Sequence, residues 1–96
     1  MAKLTPVHPG EILSEEFLAP LGLSNNKLAI DLGIPASRID QIVKGKRAIT
    51  ADTAFRLSLY FGNSPEFWMN LQASYELKLE RERLPEIRRQ VRIPAR

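Results

Sequence analysis

The sequence predicts an all-α protein of five short helices, the last of them extended. Two observations carry that reading. Apolar residues recur at helical spacing in five stretches, each bounded by a capping residue, a glycine or a proline. No run alternates with period two over a useful length, so no long strand is expected. The 96 residues suffice for one domain and not comfortably for two, and they hold no internal repeat and no low-complexity tract.

The first helix is expected over Pro9 to Ala19. Pro9 suits a first helical turn, where its missing N–H costs nothing, and His8 before it reads as a cap. Glu11, Glu15 and Glu16 lie towards the positive end of the dipole, and Ile12, Leu13, Phe17 and Leu18 form the apolar stripe. Pro20 reads as the stop, with Leu21-Gly22-Leu23 as connection. Ser24 is a good N-cap for the second helix, whose inward residues are Leu28, Ala29 and Leu32, and Gly33 closes it. The third has Pro35 at its first position, Ile39, Ile42 and Val43 inward, and Gly45 at its end. Thr50 opens the fourth, with Ala54, Leu57 and Tyr60, flanked by Phe55 and Phe61, burying one side before Gly62. In the fifth, Ser64-Pro65-Glu66 reads as N-cap and first turn, and Phe67, Trp68, Leu71, Tyr75 and Leu79 follow at helical spacing. That helix is expected to run to about Arg83. The domain division is 1–84 for the helical domain and 85–96 for a basic, loosely ordered tail.

Composition removes most chemistry. With no cysteine there is no disulfide framework, thiol nucleophile or thiolate metal site, and one histidine rules out a multi-histidine site. No enzyme constellation, metal site or cofactor motif is present. No apolar run approaches the ~20 residues of a membrane span. The first residues, Met1-Ala2-Lys3-Leu4-Thr5-Pro6, lack the apolar segment of a signal peptide, so a cytoplasmic protein is expected. The net charge of +3 is small, but it is unevenly spread. Residues 24–50 hold Lys27, Arg38, Lys44, Lys46 and Arg47 against Asp31 and Asp40, and residues 78–96 hold seven basic against three acidic side chains. Acidic stretches separate these two blocks, a distribution that speaks to binding partners.

The first basic block coincides with the most informative pattern. Ala29 is small where two helices must approach, Gly33 permits a left-handed turn, and Ile34 and Ile39 pack beneath it. This is the spacing of a helix-turn-helix, whose second helix enters the major groove of double-stranded DNA. Ala36, Ser37, Arg38, Asp40 and Gln41 then face outwards as candidate base readers. Gln suits adenine, Arg suits guanine, and Asp40 either accepts from cytosine or orients Arg38. Lys44, Lys46 and Arg47, where the chain leaves the groove, and Ser24, Asn25 and Asn26, at a helix N-terminus, are candidate phosphate contacts. Phe67, Trp68, Leu71, Tyr75 and Leu79 are candidate dimer contacts, a two-fold dimer placing its recognition helices about 34 Å apart.

Three further stretches are more specific: His8-Pro9-Gly10-Glu11-Ile12-Leu13, Lys44-Gly45-Lys46-Arg47-Ala48-Ile49-Thr50-Ala51, and Phe61-Gly62-Asn63-Ser64-Pro65-Glu66-Phe67-Trp68-Met69-Asn70-Leu71-Gln72. With them the chain, from about Pro6 to Leu79, resembles the HigA family of antitoxins within the Xre/Cro-like, lambda-repressor-like group. Lys44 departs from an Asn frequent in that family and adds charge beside the DNA. The resemblance implies a bacterial homodimer that binds and neutralises a HigB or RelE-like mRNA endonuclease toxin. It also implies repression of the shared operon at a palindromic operator. By position, it assigns Ala36, Ser37, Arg38, Asp40 and Gln41 to base reading, and Ser24, Asn25, Lys44, Lys46 and Arg47 to the DNA backbone. The alternative is a stand-alone Xre-family repressor with no toxin.

Overall fold

A computed structural model describes residues 5–95. Residues 1–4, within the N-terminal stretch read as lacking an apolar leader, and Arg96, one of the basic residues of the tail, lie outside it. The described residues are helical and form no strand.

Helix α1 spans residues 9–21 as one rod in three parts: α-helical Pro9–Ile12, a π-helical stretch Leu13–Leu18, and α-helical Ala19–Leu21. His8 caps it as expected, its Nδ1 accepting from the Gly10 N–H at 2.9 Å. Burial holds the imidazole below its ordinary pKa, which keeps it neutral and able to accept. Pro20 does not stop the rod. In the π stretch the Ala19 N–H reaches the Ser14 carbonyl, five residues back, and this wider turn accommodates a proline that lacks an N–H and would crowd a regular turn. Gly22, at φ 61°, makes the actual stop.

Helix α2 (Asn25–Leu32) starts at Ser24, whose Oγ accepts from the Lys27 N–H at 3.0 Å. It ends on Gly33 at φ 72°, and the Ile34 N–H closes the turn onto the Ala29 carbonyl at 3.1 Å. Helix α3 (Ala36–Val43) follows, with Pro35 as its N-cap, one residue earlier than the first-turn position expected for it. Helix α4 (Ala51–Phe61) has the Thr50 cap, but its buried face is Thr53, Ala54, Leu57 and Ser58. Phe55 (58% exposed) and Tyr60 face out, because they fall on either flank of that buried stripe. Helix α5 (Pro65–Glu80) has the Ser64 cap, its Oγ accepting from the Phe67 N–H at 3.1 Å. A 3₁₀ turn at Arg81–Arg83 then leads into α6 (Leu84–Gln90). Pro85 sits in the first turn of α6, where its missing N–H is harmless, so helical structure continues beyond the Arg83 end expected from sequence.

The core draws on five helices: Leu13 and Leu18, Leu28, Ala29 and Leu32, Ile39 and Ile42, Ala54 and Leu57, and Trp68, with Ile49 from the loop before α4. Each fully buried Leu or Ile contributes about 1.5–3 kcal/mol. Trp68 is completely buried among them, its Nε1 donating to Asn63 Oδ1 at 2.9 Å. Phe17 and Phe61 pack near the indole, with ring centroids 4.9 and 6.3 Å from it.

Helices α1 and α3 approach each other closely at Gly10. A Cβ on Gly10 would overlap the Ile42 carbonyl oxygen and stand 3.0 Å from Val43 Cα. The obstacle is backbone, which cannot swing aside as a side chain would. Gly10→Ala is therefore expected to lower unfolding stability by about 3 kcal/mol, the upper end for overpacking, read from urea denaturation midpoints. A change below a few tenths of a kcal/mol would show that α1 is free to shift.

Candidate nucleic-acid interface

Two turns aim α3. At its start, the Gly33 turn brings α2 and α3 together, and Asn25 Nδ2 donates to Asp40 Oδ1 at 3.0 Å across the pair. Asp40 thus orients against α2 and does not carry Arg38. At its end, Gly45 (φ 74°) turns the chain, and the Lys46 N–H closes onto the Gln41 carbonyl at 2.8 Å. This turn folds Arg47 back over the helix, where its Nη1 donates to Gln41 Oε1 at 3.1 Å. Lys44, Lys46 and Arg47 are all exposed beside the end of α3.

The loop that carries these cations is fixed from below. Gln72 of α5 is buried, and its Oε1 accepts from the Ile49 N–H at 2.9 Å while its Nε2 donates to Glu76 Oε2 at 2.8 Å. A second brace joins α4 to α2: Arg56 Nη1 donates to the Leu32 carbonyl at 2.8 Å, and its Nε donates to Asp52 Oδ2 at 2.9 Å. A third is the bond from the Tyr60 hydroxyl to Asp31 Oδ2 at 2.7 Å, with Lys27 Nζ 3.0 Å from Asp31 Oδ1. These two bonds hold the Asp31 carboxyl below its ordinary pKa and leave Lys27 engaged locally.

The candidate base readers separate into two groups. Ser37 and Gln41 are exposed, and with Oε1 engaged Gln41 presents its Nε2 hydrogens, a donor pair suited to the N7 and O6 acceptors of guanine or N7 of adenine. Ala36, Arg38 and Asp40 are half-buried. Arg38 lies against α4, its Nη1 3.8 Å from Asp52 Oδ2, in place of the open outward pose expected from the helical wheel. Among the phosphate candidates, Ser24, Asn26, Lys44, Lys46 and Arg47 are exposed; Ser24 Oγ accepts as the cap of α2 and keeps its hydroxyl hydrogen to donate, while half-buried Asn25 gives one Nδ2 hydrogen to Asp40. Asp52, Arg56, Gln72 and Tyr60 were not among the sequence candidates as polar braces. The Asp52–Arg56 spacing of four was a legible helix pair. Nothing in the sequence marked Gln72 as the partner of a loop amide.

The candidate dimer contacts separate as well. Trp68 is a core residue with no exposed surface and cannot touch a partner. Leu71 packs half-buried on the core, and Tyr75 meets His8 edge to face at 4.8 Å. Phe67 and Leu79 stay exposed.

A short helix, a glycine turn and a second helix with a polar outer face define a helix-turn-helix protein. The Helix-turn-helix family model matches residues 15–68. Antitoxin HigA-1 of Vibrio cholerae is 37% identical over 88% of this chain and 79% of its own length. Virulence-associated protein I of Dichelobacter nodosus is 51% identical over 80% of this chain and 71% of its own. The Pseudomonas aeruginosa antitoxin HigA, solved with the higBA promoter, superposes with a TM-score of 0.86 at 40% identity, covering 94% of this chain and 99% of that one. The chain belongs to the helix-turn-helix family, in its HigA antitoxin branch.

Gln72→Leu is expected to cost about 2 kcal/mol, because it orphans the buried Ile49 N–H. Amide exchange at Ile49 should accelerate more than at Leu57. Equal acceleration at both sites would mean that Gln72 acts only through global stability.

Proposed function

We propose that this protein is a DNA-binding antitoxin. In this reading it represses its own operon at a palindromic operator and neutralises a HigB or RelE-like mRNA endonuclease toxin by direct binding. The observation that carries the DNA half is the exposed edge of α3, Ser37 and Gln41, bordered by Lys44, Lys46 and Arg47. The Pseudomonas relative solved with a promoter and the antitoxin relative of Vibrio cholerae support the same reading.

Ala36, Ser37, Arg38, Asp40 and Gln41 form the base-reading set, with Gln41 foremost by exposure. Lys44, Lys46, Arg47 and Asn26 take phosphates, and the free N–H groups at the start of α2 add to them. The protein acts as a cytoplasmic homodimer without catalytic function. Phe67, Leu71, Tyr75 and Leu79 on α5 supply its contacts, and the basic segment from residue 85, helical to Gln90 where a loosely ordered tail was expected, follows the helical domain. No helix among the described residues is long and apolar enough to cross a membrane. A two-fold dimer doubles every basic contact, so operator affinity falls steeply with salt.

One relative favours a second reading. YbaQ of Escherichia coli, 39% identical over 75% of this chain, is named an HTH-type transcriptional regulator, which suits a stand-alone regulator. Co-expression with any small gene found beside this one separates the two: growth rescue supports the antitoxin, and a harmless or absent neighbour supports the regulator.

Fluorescence anisotropy on the protein's own promoter duplex tests DNA reading. Gln41→Ala is expected to cost ~1–3 kcal/mol on that duplex and little on a scrambled one. Lys46→Ala should weaken both alike and make the salt slope shallower by about one per protomer. Unchanged promoter affinity in Gln41→Ala would remove the recognition-face assignment.

A further inference from the structure

We infer that Asp52, on α4 and outside the recognition helix, is a positioning residue for Arg38 and thereby shapes which sequence α3 reads. The inference rests on the DNA-binding reading above. An arginine free on an exposed helix face samples many rotamers and loses that freedom on binding. Arg38 is not free in this way. Its side chain keeps 30% of its exposure, and its Nε is buried with no hydrogen-bond partner. Its Nη1 points at Asp52 Oδ2, 3.8 Å away.

That oxygen is itself held. Asp52 Oδ2 accepts from Arg56 Nε at 2.9 Å, and Arg56 Nη1 is anchored on the Leu32 carbonyl at the end of α2. The chain of contacts therefore runs from the backbone of the helix-turn-helix turn, through Arg56 and Asp52, to the arm of Arg38. One carboxylate oxygen registers both the turn and the reader. With Nε inward and Nη1 drawn to Asp52, Arg38 meets a base through its terminal nitrogens only, in one approach direction. The negative charge of Asp52 beside the groove also opposes unselective attachment to phosphates.

The variant Asp52→Asn keeps an acceptor for Arg56 and removes the charge that holds Arg38. It is to be measured beside Arg38→Ala and the double variant, by anisotropy on the promoter duplex and on a scrambled duplex of equal length. Asp52→Asn should weaken promoter binding by roughly fivefold and leave scrambled binding equal or tighter. In the Arg38→Ala background it should no longer lower the preference for the promoter duplex over the scrambled one. Asp52→Glu, which restores the carboxylate, should recover part of the preference. Thermal melts of all variants report folding separately.

Parallel loss on both duplexes, or the same loss with Arg38 already removed, would overturn the positioning role and leave the DNA-binding reading intact. A wild-type protein that binds the two duplexes equally would overturn that reading, and the inference with it.

Discussion

The approach of α1 to the end of α3 at Gly10 is the constraint on which the rest of this structure depends. A hydrogen atom in place of a methyl group lets two backbones meet at the Ile42 carbonyl. That meeting places His8, the cap of α1, over Gly45 in the turn leaving α3, and Tyr75 of α5 backs the imidazole edge to face. On its other flank α3 is tied to α2 by the Gly33 turn and the Asn25–Asp40 bond. A helix of eight residues is too short to be stable alone in water. Its geometry comes from these neighbours, and its outward side chains inherit that geometry.

The same arrangement separates structural from recognition roles. Ile39 and Ile42 are fully buried, so the inner face of α3 is committed to the core. The outer face keeps Ser37 and Gln41 open, while Gln72 fixes the following loop through the buried Ile49 amide. A buried amide without its acceptor costs a desolvation penalty, so the loop bearing Lys44, Lys46 and Arg47 has one favoured path. Trp68 is wholly buried in the same core as Ile39 and Ile42. The motifs at both ends of the chain thus converge on holding one short helix and one basic loop in place.

Much of this was legible in the sequence because its signals are local. Ser24, Thr50 and Ser64 cap the helices they were expected to cap, and Gly33, Gly45 and Gly62 all adopt positive φ. His8 is the cap its position before Pro9 suggested. The misreadings arose where a residue's meaning depends on distant partners. Pro20, read as a stop, is tolerated by a π turn, and the helical end expected at about Arg83 is overrun because Pro85 falls in the first turn of α6. Trp68 and Phe67 are sequence neighbours with opposite fates, since only the packing of α5 on Phe17 and Phe61 decides which ring goes inside. Arg38 faces outwards on a helical wheel, yet α4 supplies the carboxylate that turns it aside. The Gln72–Ile49 bond joins residues 23 apart and leaves no trace in local pattern.

The central claim is that one rigidly held face, formed by α3 and the loop after it, meets operator DNA. The most direct measurement is a titration of the labelled protein with its promoter duplex, following every backbone amide by NMR. The account predicts the largest shifts at Asn25–Lys27, Ser37, Gln41 and Lys44–Arg47, with the amides of Trp68–Glu80 little changed. Large shifts along α5 with α3 undisturbed would contradict it.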